Sequence, residues 1–357
     1  MGQNAYRYSA SDEFEILLFG YSVDGGPVSV LDFTEGDTLP PEVRNALSDP
    51  SVTKWAFNTV VLGGEITTDA DIDYIEIVRR VAAKLGYTVD SVINLIGRQS
   101  REINNAVISD EDIGAGDQGM MFGYATAETD SKLPFAFDLA NKIIAALEND
   151  VTTNPFTVLK GDAKTQVTVD LDAEQNFDAV HSILISVCHK ENVQMDTVAN
   201  EVRRIITPLF GSHPLPELLI NPSGVWTIGG PTADCGLTGR KIVCDQYGGF
   251  CAVGGGAFSG KDPTKVDRSA SYMARYIACK LLDIHNLSWC KVQLAYAIGV
   301  AEPVSVCVTS DNPLLDLSKY VREHYELTPK AIIEKLRLLD RDYEHIAEGC
   351  HYREEME

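Results

Sequence analysis

The chain has 357 residues, 45% of them hydrophobic, which is enough to bury a sizeable core in one large domain or in two to three smaller ones. Its formal net charge of −22 argues against nucleic acid or an anionic membrane as a partner, so an anionic ligand has to be bound by a local cluster of cations. The sequence contains no charged-then-apolar leader and no run of about 18 apolar residues, so it predicts a soluble protein of the cytoplasm.

Residues 1–59 predict a small β-β-α-β unit. Strands are expected at Phe14–Phe19 and Val28–Phe33, separated by a Gly-Gly-Pro turn, with a short helix over 40–47 and a third strand at Val52–Phe57.

From Val60 the pattern changes to longer elements. An apolar strand covers 60–68 and contains a glycine pair followed by Glu65, and a helix covers 72–85 and ends at Gly86. A polar loop is expected from Ile96 to about residue 113.

The rest of the chain mixes strands with isolated helices. Helices are predicted over 139–147, 195–210, 268–282, 314–325 and 329–339, and strands over 162–169, 177–189, 292–300 and 304–308. Because this order does not repeat a βαβ unit, it indicates an α+β fold.

The eight cysteines are scattered through apolar stretches, with no C-x-x-C pair and no histidine at ligand spacing. We therefore predict reduced, buried thiols, without disulfides and without a zinc site.

Residues 254–269 read GGGAFSGKDPTKVDRS. The glycines let the backbone approach a ligand and turn its N–H groups toward an anion, and Lys261 adds a positive charge. The stretch is not a Walker A loop, because Asp262 stands where that motif has Ser or Thr. Lys265 and Asp267 add a second cation and a carboxylate suited to a divalent metal. The stretch predicts a polyphosphate site, and a structural turn is the alternative interpretation.

Two further stretches are equally rich in glycine. Residues 114–125 read GAGDQGMMFGYA, and residues 229–241 read GGPTADCGLTGRK. Together with residues 254–269, they resemble the most specific signatures of S-adenosylmethionine synthetase (methionine adenosyltransferase), in the order in which that family has them. The resemblance runs from about Val60 to about Arg353.

This resemblance implies three similar α+β domains about a pseudo-threefold axis, the first of them truncated and replaced at its N-terminus. The remainder of the first domain would be residues 60–125, interleaved with later segments, the central domain 126–225 and the C-terminal domain 226–357. In the family, the flat sheet faces of two subunits form a dimer, which predicts a homodimer or a dimer of dimers.

The resemblance also implies a reaction, S-adenosylmethionine biosynthesis for one-carbon metabolism. The sulfur of methionine attacks C5′ of ATP, and the released triphosphate is cut to pyrophosphate and phosphate, with Mg²⁺ and K⁺ as cofactors. Because triphosphate carries about four negative charges, catalysis depends on cations that stabilise the leaving group and on alignment of the attack.

Site residues follow from the resemblance, position by position. Those around ATP are Asp162, Lys164, Trp226, Asp234, Arg240, Lys241, Ala257 and Lys261, of which Lys164, Arg240, Lys241 and Lys261 surround the phosphates and serve catalysis. Those around methionine are Glu65, Gln99, Asp117, Asp234 and Lys265, and Asp267 binds Mg²⁺. The alternative for the charged residues is solvated surface, and for Asp117 a turn-forming aspartate.

The chain departs from the family at several positions. The family begins with SEGHPDK, whose His lies against the triphosphate and whose Asp binds a second Mg²⁺, and a later Glu holds K⁺. All three fall within residues 1–59 of this chain, which contain no histidine. Trp226 replaces a usual Phe, Val225 an Arg and Val253 a His, and the segment Cys350–Arg353 only loosely matches a C-terminal GHFGR.

Residues 1–59 resemble instead a fragment of the exonuclease-like region of phage-type family A DNA polymerases, in EILLFGYSVDGGPV and DPSVTKWAFN. They include no complete metal-binding exonuclease motif, so a nuclease is disfavoured. Two interpretations of the whole chain remain open. It is a synthetase impaired by loss of the HPDK motif, or it is a catalytically inactive homologue that binds ATP and methionine or forms oligomers.

Overall fold

The computed structural model describes residues 18–21, 29–32, 53–56, 58–66, 68, 70–98, 114–172 and 177–353. The helix predicted over 40–47, Gln99 and most of the polar loop before residue 114 lie outside the described residues. The chain divides into two compact units, Met1–Asp49 and Pro50–Glu357. No helix among the described residues is long and apolar enough to cross a membrane.

Within the first unit, strands β1 (Leu18–Tyr21) and β2 (Ser29–Asp32) form an antiparallel hairpin in which Leu18 pairs with Asp32. The two strands predicted here overlap these strands at residues 18–19 and 29–32, and the remaining residues of both predicted strands lie outside the described part of the chain.

The first sheet of the second unit has the strand order β10-β3-β4-β5. Strand β3 (Thr53–Ala56) runs antiparallel to β4 (Thr59–Glu65), and both strands lie in the unit that begins at Pro50. Strand β5 (Ser91–Gly97) is parallel to β4, and the short β10 (Gly236–Leu237) pairs with β3.

Helix α1 (Tyr74–Lys84) connects β4 to β5. The Asp73 side chain caps its N-terminus by accepting from the N–H groups of residues 75 and 76, and Gly86 adopts φ +80° just beyond its end. Helix α1 is therefore close to its predicted bounds. The polar loop expected from Ile96 is wrong in its start, because residues 96 and 97 complete the ladder between β5 and β4.

The second sheet has the order β7-β8-β9, with β7 (Leu159–Leu171) antiparallel to β8 (Phe177–His189) and β9 (Glu217–Ile220) parallel to β8. Helices α2 (Phe135–Thr153) and α3 (Met195–Ile206) contribute to the same core as this sheet. The helix predicted over 195–210 changes to a 3₁₀ turn after Ile206, because a proline follows at 208 and cannot donate to an α-helical ladder.

The third sheet has the order β12-β11-β6, made of β6 (Gly119–Thr126), β11 (Trp289–Tyr296) and β12 (Ser305–Ser310). The remaining helices of this part are the short α4 (Ile242–Asp245), the long buried α5 (Val266–His285), α6 (Leu317–His324), α7 (Pro329–Lys335) and α8 (Tyr343–Ile346). Strand β6 was not predicted, since its glycines lower β-propensity and only pairing with β11 makes it a strand.

Three sheets with helices packed beside them confirm the α+β class. Segments distant in sequence share sheets, because β6 joins the C-terminal strands and β10 joins β3. The division into three similar domains stays a prediction. The prediction of buried thiols is wrong for Cys235, Cys244 and Cys307, which are exposed, while the other five cysteines are buried.

Candidate active site

Residues 254–261, here called the glycine loop, leave little room for a side chain at each of the first three positions. A Cβ at Gly254 would overlap the carbonyl oxygen of Met120 on β6. Gly255 has φ +73°, and a Cβ there would lie 2.5 Å from a carboxylate oxygen of Asp267. A Cβ at Gly256 would lie 2.6 Å from the Nζ atom of Lys261. The three glycines therefore let the loop fold tightly against Lys261 and Asp267.

Asp267 lies in the first turn of α5 and is only 4% exposed at its side chain. One oxygen accepts a hydrogen bond from the Gly256 N–H at 3.0 Å, and the other lies 2.6 Å from the Lys261 ammonium. Both carboxylate oxygens are thus used to hold the glycine loop closed on the start of the helix. A buried charge needs such partners, since an unpaired one is costly.

The GAGDQG stretch approaches the end of this region. A Cβ at Gly116 would lie 2.9 Å from the carbonyl oxygen of Thr264 and 3.1 Å from Cδ of Lys265. Asp117, the next residue, is exposed. The backbone directly before Asp117 therefore lies against Lys265, and both are predicted methionine-binding residues.

A second group of predicted residues lines an open cleft of about 610 Å³. The cleft contains six of the residues predicted to contact ATP, namely Asp162, Lys164, Trp226, Asp234, Arg240 and Lys241. Asp162 accepts a hydrogen bond from the Gly230 N–H at 2.7 Å, and the Lys164 ammonium lies 5.7 Å from the centre of the Trp226 ring. Three cations and an aromatic platform thus share one cavity, a combination that suits a nucleotide.

The chain segment that supplies Arg240 to the cleft also contacts the glycine loop. Gly239, which has φ +63° and precedes Arg240, would overlap the Cβ of Ala257 if it carried a side chain. The backbone that carries Arg240 and Lys241 therefore lies directly against the glycine loop.

One of the predicted residues that the structure describes, Glu65, is not part of this arrangement. Glu65 is exposed at the carboxyl end of β4, paired in register with Gly97, and is not among the residues lining the cleft. Gln99 lies outside the described residues.

Sequence analysis missed Tyr87. It lines both this cleft and a neighbouring one of about 540 Å³, and a Cβ at Gly230 would overlap its ring. Burial and the negative charge of Asp162 raise the pKa of its hydroxyl. In the sequence, only its position just after Gly86, at the end of α1, could have indicated Tyr87 as a site residue.

The described carboxylates fit a magnesium ion only if phosphate oxygens supply its other ligands. Among the described residues, no group of three or more His, Cys, Asp or Glu side chains is arranged to hold a metal. Magnesium is commonly held by one or two carboxylates plus substrate phosphates, so the Asp267 carboxylate is compatible with it.

Comparison with known proteins agrees with these motifs. Residues 112–226 match the central domain of S-adenosylmethionine synthetase, and residues 228–357 match its C-terminal domain. The chain is 43% identical to S-adenosylmethionine synthase of Mycoplasmopsis pulmonis over 295 residues, which cover 80% of this chain and 78% of that protein. It is 41% identical to the Helicobacter pylori synthase over 355 residues, covering 91% and 92%.

The fold leads to the same group of proteins. A structure described as an unusual S-adenosylmethionine synthetase from Campylobacter jejuni superimposes with a TM-score of 0.75 at 30% identity, covering 85% of this chain and 87% of that one. Fold and motifs together define an enzyme of the methionine adenosyltransferase class. The chain belongs to the S-adenosylmethionine synthetase family.

The extent of similarity differs from the prediction. Residues 60–357 make up about five-sixths of the chain, less than the 91% matched to the Helicobacter pylori protein. The similarity therefore continues N-terminal of Val60, which agrees with the pairing of β3 to β4.

Proposed function

We propose that this chain forms S-adenosylmethionine from methionine and ATP and releases pyrophosphate and phosphate. In the reaction, the thioether sulfur forms a bond to C5′ of the ribose, the bond from C5′ to the triphosphate oxygen breaks, and the sulfur becomes a sulfonium. Water then cleaves one phosphoanhydride bond of the triphosphate, which gives pyrophosphate and phosphate. The observation that carries the proposal is the cleft that Lys164, Arg240, Lys241 and Trp226 line together.

The cations act on the leaving group. Lys164, Arg240 and Lys241 would neutralise the charge that the triphosphate develops as it departs, and Lys261 would do so from the glycine loop. Preorganised charges of this kind stabilise the transition state more than flexible ones, because they need no rearrangement when negative charge develops on the leaving group.

The remaining polar groups orient the substrates. Trp226 would stack on the adenine with Asp162 beside it, and the Ala257 backbone would contact the phosphates. Asp117, Asp234 and Lys265, with Glu65 and Gln99, would hold the amino and carboxylate groups of methionine. Alignment of the sulfur with C5′ replaces a bimolecular encounter with a positioned attack.

Magnesium, when bound with the nucleotide, adds positive charge at the phosphate oxygens. Asp267 is the residue of this chain that would hold it. Lys261, which lies 2.6 Å from the same carboxylate, would add its own positive charge beside it. A potassium site is not assigned to any described residue.

We further propose that turnover is low. Residues 1–59 contain no histidine to replace that of the family's HPDK motif. Loss of one preorganised electrostatic contact costs about 100- to 1000-fold in rate, so loss of two predicts a rate at least about a thousandfold below that of relatives with the motif.

The test is conversion of radiolabelled methionine with saturating ATP, Mg²⁺ and K⁺, with the Helicobacter pylori synthase as a parallel control. Slow formation of S-adenosylmethionine supports the proposal. Turnover near about 1 s⁻¹, within the usual enzyme range, would contradict the low rate. Tight binding of ATP and methionine without any product would favour the inactive, binding homologue.

A further inference from the structure

The segment Cys350–Tyr352 is buried, and it packs against the glycine loop. His351 is 4% exposed, and its neighbours Cys350 and Tyr352 are 1% and 0% exposed. A buried imidazole requires hydrogen-bond partners, and the identity of those partners indicates what the residue does.

His351 connects the glycine loop to helix α5. Its Nδ1 atom lies 2.8 Å from the hydroxyl of Tyr272 on α5, and its Nε2 atom lies 3.5 Å from Oγ of Ser259 in the loop. Burial and the nearby charge of Arg268 lower the pKa of the imidazole to about 4, so the ring is neutral at neutral pH. A neutral imidazole has one donor and one acceptor nitrogen, which suits a bridge between two hydroxyl groups.

The loop residue before Ser259 is held in the same place. Phe258 is 1% exposed, and its ring packs edge-on against Tyr272, His351 and Tyr352 at centroid distances of 5.5, 5.2 and 5.9 Å. Its carbonyl oxygen accepts a hydrogen bond of 2.8 Å from Nε of Arg268. Contacts with α5 and with the segment Cys350–Tyr352 thus hold residues 258 and 259, which immediately precede Gly260 and Lys261.

The same segment also contacts the element that follows Lys241. The backbone N–H of His351 donates to the carbonyl of Asp245 at 2.9 Å, and Sγ of Cys350 lies 3.2 Å from the carbonyl oxygen of Gln246. Asp245 is the last residue of α4, which begins directly after Lys241. The segment therefore supports both chain regions that present cations toward the site.

We propose that His351 is a positioning residue, which holds the glycine loop through Ser259 and Tyr272 so that Lys261 is preorganised for the triphosphate. The proposal rests on the proposed function, because that function assigns Lys261 to the phosphates. His351 is not among the residues that line the cleft. It acts by limiting the motion of the loop, and supporting groups of this kind determine how precisely a charged side chain is placed.

The experiment measures binding of inorganic tripolyphosphate to the full chain by calorimetry, and KM for ATP and for methionine. The variants are His351→Ala, His351→Gln, Tyr272→Phe and Ser259→Ala. Gln can accept and donate a hydrogen bond as the imidazole does. His213→Ala is the matched control, since His213 is an exposed histidine in another loop.

We expect His351→Ala to weaken tripolyphosphate binding and raise KM for ATP by about tenfold, less than the roughly 100-fold that a 1 Å misplacement can cost. His351→Gln should recover most of this loss, Tyr272→Phe and Ser259→Ala should shift in the same direction as His351→Ala, and His213→Ala should match the wild type. KM for methionine should stay within about twofold. A general loss of structure would instead raise KM for both substrates.

A folded His351→Ala protein with wild-type tripolyphosphate affinity and KM for ATP would overturn the proposal. If that variant does not fold, Tyr272→Phe and Ser259→Ala decide by the same criterion. Absence of tripolyphosphate binding by the wild type would contradict the proposed function and the role of His351 with it. If the wild type binds tripolyphosphate tightly and the variants bind it with the same affinity, only the role of His351 is contradicted.

Discussion

The Lys261 ammonium lies 2.6 Å from the Asp267 carboxylate, and that carboxylate is 4% exposed while the lysine side chain is 21% exposed. The pair joins the glycine loop to the first turn of α5, and the second carboxylate oxygen accepts the Gly256 N–H. Because the lysine is the more accessible partner, its ammonium is the group of the pair that a phosphate can contact.

Lys261→Ala should weaken tripolyphosphate binding by about 1.5–3 kcal/mol, the scale of a hydrogen bond to a charged group. Calorimetry at fixed salt measures the effect, and Lys319→Ala, an exposed lysine on α6, is the control. If both variants bind tripolyphosphate equally well, Lys261 is not a phosphate ligand.

Gly123→Ala should destabilise the protein by at least about 1–3 kcal/mol, the cost of overpacking a core. Gly123 is on β6, and an added Cβ would overlap the backbone of Ala274 on α5. Gly161→Ala is the matched control, since an added Cβ there meets no atom within 4 Å and should change stability by less than about 0.5 kcal/mol. Urea unfolding gives both values, and equal stabilities would show that β6 and α5 do not pack this closely.

His351 and Asp245 should act in opposite directions on stability in acid. The pKa of His351 falls from 6.5 to about 4, through burial and the charge of Arg268, so the unfolded chain binds the extra proton and stability falls as pH drops from 6.5 to 4. Burial raises the pKa of Asp245 from 3.8 to about 6, so the folded chain keeps a proton and stability falls as pH rises from 3.8 to 6.

The groups facing His351 are the Tyr272 and Ser259 hydroxyls, the Phe258 ring and the charge of Arg268. Relative to wild type, Asp245→Asn should lose more stability between pH 6.5 and 4. Relative to wild type, His351→Gln should gain stability as pH falls through that range. The slopes should reach at most about 1.4 kcal/mol per pH unit, and less for the partly solvated Asp245. Urea unfolding from pH 4 to 7 measures them, and parallel curves for all three proteins would contradict the assignment.

The protein should be a dimer, because the sheets leave large apolar side chains exposed. Ile93 and Leu95 point to the same side of β5 and are both exposed. Ile93→Glu combined with Leu95→Glu should shift the molecule toward monomer in light scattering. Leu339→Glu, at an exposed residue in a 3₁₀ turn, is the control. A wild-type monomer at micromolar concentration would contradict the prediction.

Local sequence patterns predicted several elements well. Strand β8 has the predicted bounds, Phe177–His189, and helix α5 extends the predicted 268–282 by only a few residues at each end. Both follow from apolar periodicity, which depends on neighbouring residues alone. Strands β5 and β6 were missed. Strand β6 pairs with β11, which is remote in sequence, whereas β5 pairs with β4, the preceding strand of the chain.

The glycine motifs by themselves determined the family and the residue types of the candidate site. Their spacing requires close backbone approach, but it does not say which atoms approach. Tertiary structure decided that Gly254 meets β6, that Gly239 meets Ala257 and that Tyr87 borders the cleft. It also decided that His351, remote in sequence from the glycine loop, is buried against Ser259. Such contacts join segments far apart along the chain, and only the packing of the whole core brings them together.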